Sequence, residues 1–347
     1  MFRVIQWATG SVGRTTLRRV IDHPDLELVG LFVYDPAKIG RDAGEIAKRP
    51  PTGVCATDRI EEILALEADV VLHTPRISVP YAAQNADVVR LLVSGKNVIS
   101  VNGFYRPEVH GEDYAGPLRE AALRGNATLA GIGLNPGFIA ERLALTLTGL
   151  MAQLETIECR ETVDASYIPA PGFVFDVMGF GSEPAAGDIT RGPLADLYTA
   201  LYAETFGYVA RMLDTTVAKL VPDHRLTLAP RDLPLAAGTV HKGTVAATEW
   251  RWHAEFADRR RMTHSLLWTA DPALHRERDA AHWQIRLRGR PNVELSFTVE
   301  DPDPAAPPSR AAMDATAALV IRAIPAVCAA PAGFWQLPAV LPFQARL

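Results

Sequence analysis

Residues 3–35, RVIQWATGSVGRTTLRRVIDHPDLELVGLFVYD, constrain the fold more than any other stretch of the chain. Two apolar, β-rich runs flank a helical pattern, and the first run joins the helix through Ala8-Thr9-Gly10-Ser11-Val12-Gly13. RVIQWA and LVGLFV do not alternate apolar with polar residues, which is the pattern of strands covered on both faces of a parallel sheet. Parallel neighbours need a crossover, so the stretch reads as one β-α-β unit. The same grammar continues to about residue 135 through RIEEILAL, ADVVLHTP, AAQNADVVRLLVSG, NVISVN, PLREAALRG and TLAGIG. Residues 1–138 are therefore expected to form an α/β domain with a doubly wound parallel sheet, the Rossmann arrangement.

The pattern changes after Met151. LETIECRETVDA, TVAATEWRWHAEFA, MTHSLLWTA, HWQIRLRG and NVELSFTVE alternate apolar and polar residues, as antiparallel strands with one wet face do. A long helical pattern, PLADLYTALYAETFGYVARMLD, lies between them. Residues 139–308 are expected to form a second, α+β domain built on an open antiparallel sheet with helices on one face. PDPAAPPS, residues 302–309, reads as an ordered linker. The segment 309–347 is expected to be helical until Pro325 interrupts it, and to pack back on the first domain.

A chain of 347 residues has room for two cores, and 48% hydrophobic with 22% charged residues lies in the globular range. A net charge of −5 and the lack of a basic block argue against nucleic acid as a partner. MFRVIQWATG reads directly as a strand and not as a secretion signal, and no run reaches the roughly 20 apolar residues of a membrane span. Cys55, Cys159 and Cys328 are odd in number and have no CxxC or Cys/His spacing. A soluble, cytoplasmic protein without structural metal is the expectation.

The Ala8–Gly13 turn is the dinucleotide fingerprint with alanine in place of its first glycine. Gly10 would let a diphosphate approach the backbone, and Gly13 would let helix and strand pack closely. The amides of Ser11, Val12, Gly13 and Arg14 would face the anion at the positive end of a helix dipole. Asp35, about twenty residues on, is placed to hold an adenosine ribose. Its charge favours NAD, while Lys38 and Arg41 suit the extra phosphate of NADP, so both cofactors stay open. His73, Thr74 and Pro75 end one strand pattern, and Asn102 follows another; strand ends of this kind are where open α/β sheets bind ligands. A lone His73 is more often a structural histidine than an acid or base, so it is assigned to cofactor contact.

With KIGRDAGEIA at 38–47, LHTP at 72–75, GIGLNPGF at 131–138, FDVMGFG at 175–181, AAGTV at 236–240 and IPAVCAAPAG at 324–333, the chain resembles the dihydrodipicolinate-reductase-like oxidoreductases of actinobacteria. Relatives of that family include 2,4-diaminopentanoate dehydrogenase and the native amine dehydrogenases. The resemblance implies NAD(P)H, hydride exchange with a C=N bond or an amine, and a second domain that holds a small-molecule substrate and forms a homodimer. It also adds Asn135 to the cofactor contacts. The His-His pair and lysine of dihydrodipicolinate reductase itself are missing, so its own reaction is not expected. Aligned on Pro107, the position just after the fifth strand where the amine dehydrogenases carry a glutamate falls on Asn102 or Gly103.

Asn102, Glu108 and Tyr167 are the catalytic candidates. Asn102 would orient a carbonyl or the nicotinamide amide, Glu108 would reach the space of the missing carboxylate from a displaced loop, and Tyr167 would line the substrate pocket. Each has a plainer reading, as a turn residue, a solvated loop acid and an aromatic on a sheet face. Asp176 reads as a cap, Cys159 as a packed thiol, and His241 and His253 lack paired metal-ligand spacing. Trp250, Trp252, Trp268 and Trp283 read as core or dimer interface before pocket lining. Two other readings remain beside the amine dehydrogenase or imine reductase: a reductase of ketones or aldehydes that uses no ammonia, and a non-catalytic dinucleotide-binding redox sensor.

Overall fold

The computed structural model describes residues 1–169, 171–185, 189–275, 282–307, 309–336 and 342–344. The chain forms two compact units, Met1–Phe138 with Ala311–Pro338, and Ile139–Arg310 with Ala339–Leu347.

In the first unit β1 (Phe2–Trp7), β2 (Leu26–Phe32), β3 (Ala56–Thr57), β4 (Val70–His73), β5 (Asn97–Ser100), β6 (Thr128–Gly131) and a last strand, Gly333–Trp335, form one sheet. Every pairing is parallel, and the order from one edge is the last strand, β6, β5, β4, β1, β2, β3. The order reverses between β1 and β4, so crossovers leave a crevice at their carboxyl ends. The helix α1 (Ser11–Asp22) buries Gly13, Thr16, Leu17 and Val20, a stripe with helical spacing that faces the sheet. On the same face Val320, Ala323, Ile324 and Val327 of the helix Ser309–Cys328 pack on Val4, Val70, Leu72 and Ile99. The opposite face packs Ile5, Val71 and Val98 against α4 (Asn85–Val93) and α5 (Glu112–Arg124), which follow α2 (Ala43–Ala47) and α3 (Ile60–Ala65) in the chain.

The structure adds one observation on this segment and corrects one expectation. Ser309–Cys328 is long and apolar enough by composition to cross a membrane, and part of that apolar character is accounted for by the stripe it spends on the sheet. Pro325 does not end the helix, which runs to Cys328 and closes with the Ala329 amide bonded to the Pro325 carbonyl. A proline removes its own donor and obstructs the turn before it, and its carbonyl still accepts from the turn after it.

The second unit holds β7 (Gln153–Asp164), the helix α6 (Pro193–Met212), β8 (Val217–Pro222), β9 (Arg225–Leu228), a small hairpin of β10 (Leu233–Leu235) and β11 (Gly238–Val240), then β12 (Val245–Phe256), β13 (Arg261–Thr269), β14 (Trp283–Arg290) and β15 (Val293–Phe297). Its main sheet runs β15-β14-β7-β13-β12-β8, with β9 on β12. All pairs are antiparallel except β7 with β13, which makes the sheet mixed where an antiparallel one was expected. Alternation predicts a half-wet strand but not the direction of its neighbour, which is set by the long return of the chain. Helix α6 covers one face: Tyr202 stacks on Trp252 at 4.6 Å, and Trp252 Nε1 donates to Thr199 Oγ1. Trp250, Trp252 and Trp283 are core residues of this unit.

Candidate functional site at the carboxyl edge of the parallel sheet

The turn after β1 is built by contacts that leave no slack. Ala8 stands at φ +74, a left-handed conformation at the position where the fingerprint has its first glycine. A Cβ on Gly13 would meet the Ala8 carbonyl oxygen at 2.3 Å and Thr74 Oγ1 at 2.7 Å, so the helix can lie this close to the strand only with glycine there. A Cβ on Gly10 would meet nothing within 4 Å, and Gly10 and Ser11 are exposed. Gly10 caps α1 without a side chain, and the first turn carries no acid. The first amide satisfied inside the helix is that of Arg14, which donates to the Gly10 carbonyl at 2.9 Å. The preceding amides, on Ser11, Val12 and Gly13, are therefore the helix's unspent donors among the described residues, beside the open space at Gly10. An open cradle at Gly10 with a sealed contact at Gly13 fits a diphosphate, which needs backbone approach at the first glycine and close packing at the second.

Gln6 was not singled out in the sequence, yet it holds this turn to the strand across the switch point. Its Nε2 donates to the Ala8 carbonyl at 3.0 Å and to Thr74 Oγ1 at 2.8 Å, and Thr74 Oγ1 donates to the Trp7 carbonyl at 3.0 Å. A polar residue with no exposed surface in a strand covered on both faces was the available signal.

Asp35 lies just beyond β2. One carboxylate oxygen accepts from the Ala37 amide at 3.1 Å, and the other is 3.7 Å from Lys38 Nζ. Lys38 Nζ also donates to Thr9 Oγ1 at 3.1 Å, so the lysine spans from the acid to the glycine turn. Arg41 is engaged elsewhere, in a pair with Glu45 at 2.7 Å.

The loops after β4 and β5 are tied together. Asn102 Nδ2 donates to the Pro75 carbonyl, and the Asn102 amide donates to Ser100 Oγ at 3.1 Å. His73 has no exposed surface; Ser100 Oγ lies 3.0 Å from its Nδ1, and desolvation pushes its pKa down to about 3. The ring is neutral and enclosed, and it ties β4 to β5. Thr74 and Pro75 are buried as well. Asn135 precedes a cis bond to Pro136, whose carbonyl accepts from the Tyr105 hydroxyl at 2.9 Å, so the loop after β6 locks onto the loop after β5. Glu108 is exposed on the short turn Pro107–His110. Tyr167 belongs to the second unit, half-buried in the turn after β7, with its hydroxyl held above the ordinary range by burial and then by Asp164. The structure thus gathers Gly10–Arg14, Asp35, Lys38, Thr74, Pro75 and Asn102 along one sheet edge. Among the described residues no group of three or more His, Cys, Asp or Glu side chains is arranged to hold a metal.

Residues 4–95 match the family described as dihydrodipicolinate reductase, N-terminus. An amine dehydrogenase of Streptomyces virginiae is 34% identical over 184 residues, 52% of this chain and 51% of that protein. A 4-hydroxy-tetrahydrodipicolinate reductase of Mastigocladus laminosus is 34% identical over 84 residues, 24% of this chain and 30% of that one. The matched segments therefore span about half of the first relative's length and less than a third of the second's. The solved structure of an amine dehydrogenase from Mycobacterium smegmatis superposes with a TM-score of 0.77 at 17% identity, covering 99% of this chain and 98% of that one. By residues 4–95 the chain is similar to the N-terminal part of dihydrodipicolinate reductases, and its fold is one that it shares over nearly its whole length with an amine dehydrogenase.

Proposed function

We propose that this protein is an NAD(P)H-dependent oxidoreductase that acts on the C=N or C=O bond of a small substrate, in the manner of an amine dehydrogenase or imine reductase. The open, uncapped α1 N-terminus at Gly10, with Asp35 and Lys38 beside it, carries the reading. The amides of Ser11, Val12 and Gly13 would hold the diphosphate, with Arg14 at its flank, and Asp35 would accept from the ribose hydroxyls. Lys38 offsets the charge of Asp35, which supports use of both NAD and NADP. When bound, the dinucleotide supplies the hydride.

The catalytic roles of Asn102, Glu108 and Tyr167, the assignment of substrate binding and homodimerisation to the second unit, and a cytoplasmic setting are part of the same proposal. Asn102 acts in it by position: its amide is spent on the loop after β4, so it fixes the crevice wall and does not titrate. That non-titrating amide, with Glu108 exposed on an outer turn, also favours a second reading, reduction of a ready-made ketone, aldehyde or imine without ammonia.

Titration of the full chain with NADH and NADPH, followed by nucleotide fluorescence, tests the proposal. Saturable binding of either at micromolar concentration is expected, followed by oxidation of the nucleotide with a panel of small ketones, with and without ammonia. Failure to bind both nucleotides would overturn the assignment.

A further inference from the structure

The loops leaving β4 and β5 hold an aromatic cluster outside the glycine turn. Tyr81, on the short turn Tyr81–Gln84, stacks on Tyr114 of α5 with ring centroids 5.9 Å apart and planes 11° from parallel. His110 tilts against both, 5.1 Å from Tyr81 and 4.7 Å from Tyr114. All three are half-buried. The Tyr81 hydroxyl lies over Gly103, where a Cβ would stand 2.0 Å from the phenolic oxygen. Gly103 also sits at φ +95, so both backbone and neighbour demand glycine. The phenol thus fills the side-chain space of the residue after Asn102, at the carboxyl ends of β4 and β5, on the rim of the crevice where the sheet order turns.

Reduction of a carbonyl or a neutral imine needs a proton as well as a hydride. Of the groups on this rim, His73 is sealed and the Asn102 amide does not titrate. A phenol is able to give a proton to oxygen or nitrogen. We propose that Tyr81 is the catalytic proton donor to the substrate and that His110, packed against its ring, is a positioning residue. The proposal rests on the oxidoreductase reading above. In the step, a bound dihydronicotinamide would supply the hydride of the new C–H bond at the C=O or C=N carbon and would itself be oxidised to the nicotinamide. The π pair of that bond moves to the oxygen or nitrogen and takes the proton of the Tyr81 O–H bond. The electron pair of the broken O–H bond stays on the phenolate, which regains a proton from water.

The test uses the full chain and Tyr81→Phe, which keeps the ring stack and removes only the hydroxyl. Turnover is expected to fall by ~100-fold or more with the affinity for NADPH or NADH kept within about two-fold, and the alkaline limb of the pH profile of kcat is expected to vanish. In the nucleotide-free protein, ultraviolet difference titration isolates the phenolate band that Tyr81→Phe loses, and its midpoint should match that limb within about one pH unit. His110→Gln should move the limb and leave nucleotide affinity in place. Turnover within about three-fold of the parent in Tyr81→Phe, or an alkaline limb that survives the substitution, overturns the proposal. If the parent chain binds neither nucleotide, the functional reading falls and this proposal with it; if nucleotide-dependent turnover survives Tyr81→Phe, the proposal falls alone.

Discussion

Two glycines three residues apart have opposite duties, and substitution separates them. Gly10 has ordinary backbone angles, φ −67 and ψ −165, and open space around it, so Gly10→Ala should leave the melting temperature within about 1 °C of the parent. The same methyl would stand where a diphosphate must approach, and nucleotide affinity should fall by about ten-fold or more. Gly13→Ala drives a methyl into the Ala8 carbonyl and Thr74, and should cost about 2 to 4 kcal/mol of stability whether or not nucleotide is present. Thermal melts and nucleotide titrations on the two variants check the pair; equal effects on both would deny the division of labour. The tight packing at Gly13 and the open space at Gly10 were legible, since strand, turn and helix spell out the motif and its spacing tells the two glycines apart. Lys38 was legible as a charge but not as a strut to Thr9, because no spacing rule brings residues 9 and 38 together. Glu108 and Tyr167 show the same limit from the other side: residue type nominates an acid or a phenol, and only the fold tells whether it faces solvent or a pocket.

At the level of elements, the β1–α1 turn stores a small strain. Ala8 takes a left-handed conformation that costs an L residue about 1 to 2 kcal/mol, and glycine would relieve it while losing about 0.4 to 1 kcal/mol through a freer unfolded chain. The net expectation for Ala8→Gly is stabilisation by about 0.5 to 1 kcal/mol, a rise of ~1–4 °C in the melting temperature. A fall would mean that the Ala8 methyl, in a residue only 5% exposed, contributes more to packing than the backbone loses to strain. The alternation of strands and helices up to residue 135 was readable because buried parallel strands and one-sided helices carry different periods. The parallel pairing of β7 with β13 was not, because residues 153–164 and 261–269 meet only after the chain has built α6 and five intervening strands. Nor was the last strand, Gly333–Trp335, whose three residues are too short to show any period.

Across the whole molecule, imidazoles buried in the neutral state dictate how stability depends on pH. His73 in the first unit and His264 in the second are 0% and 1% exposed, and desolvation brings each pKa to about 3. His224 and His282 are pushed to about 4 by the same cause. An unfolded histidine titrates near 6.5, so the unfolded chain binds protons that the folded one refuses. The stability that these rings lend is therefore complete above about pH 6.5 and is lost as pH falls from there toward 3. For the two enclosed rings the loss by pH 5 amounts to about 2 kcal/mol each. His264 lies between Trp252 and Cys159 in the sheet register, 4.8 Å from the Tyr202 ring, and neither of its nitrogens finds a hydrogen-bond partner among the described residues. Replacing it with an apolar side chain gives up no hydrogen bond and removes one proton sink from the unfolded state. Urea unfolding of His264→Leu at pH 7 and pH 5 should show a drop in stability about 2 kcal/mol smaller than the parent's, and a drop as steep as the parent's would place the acid sensitivity in other groups.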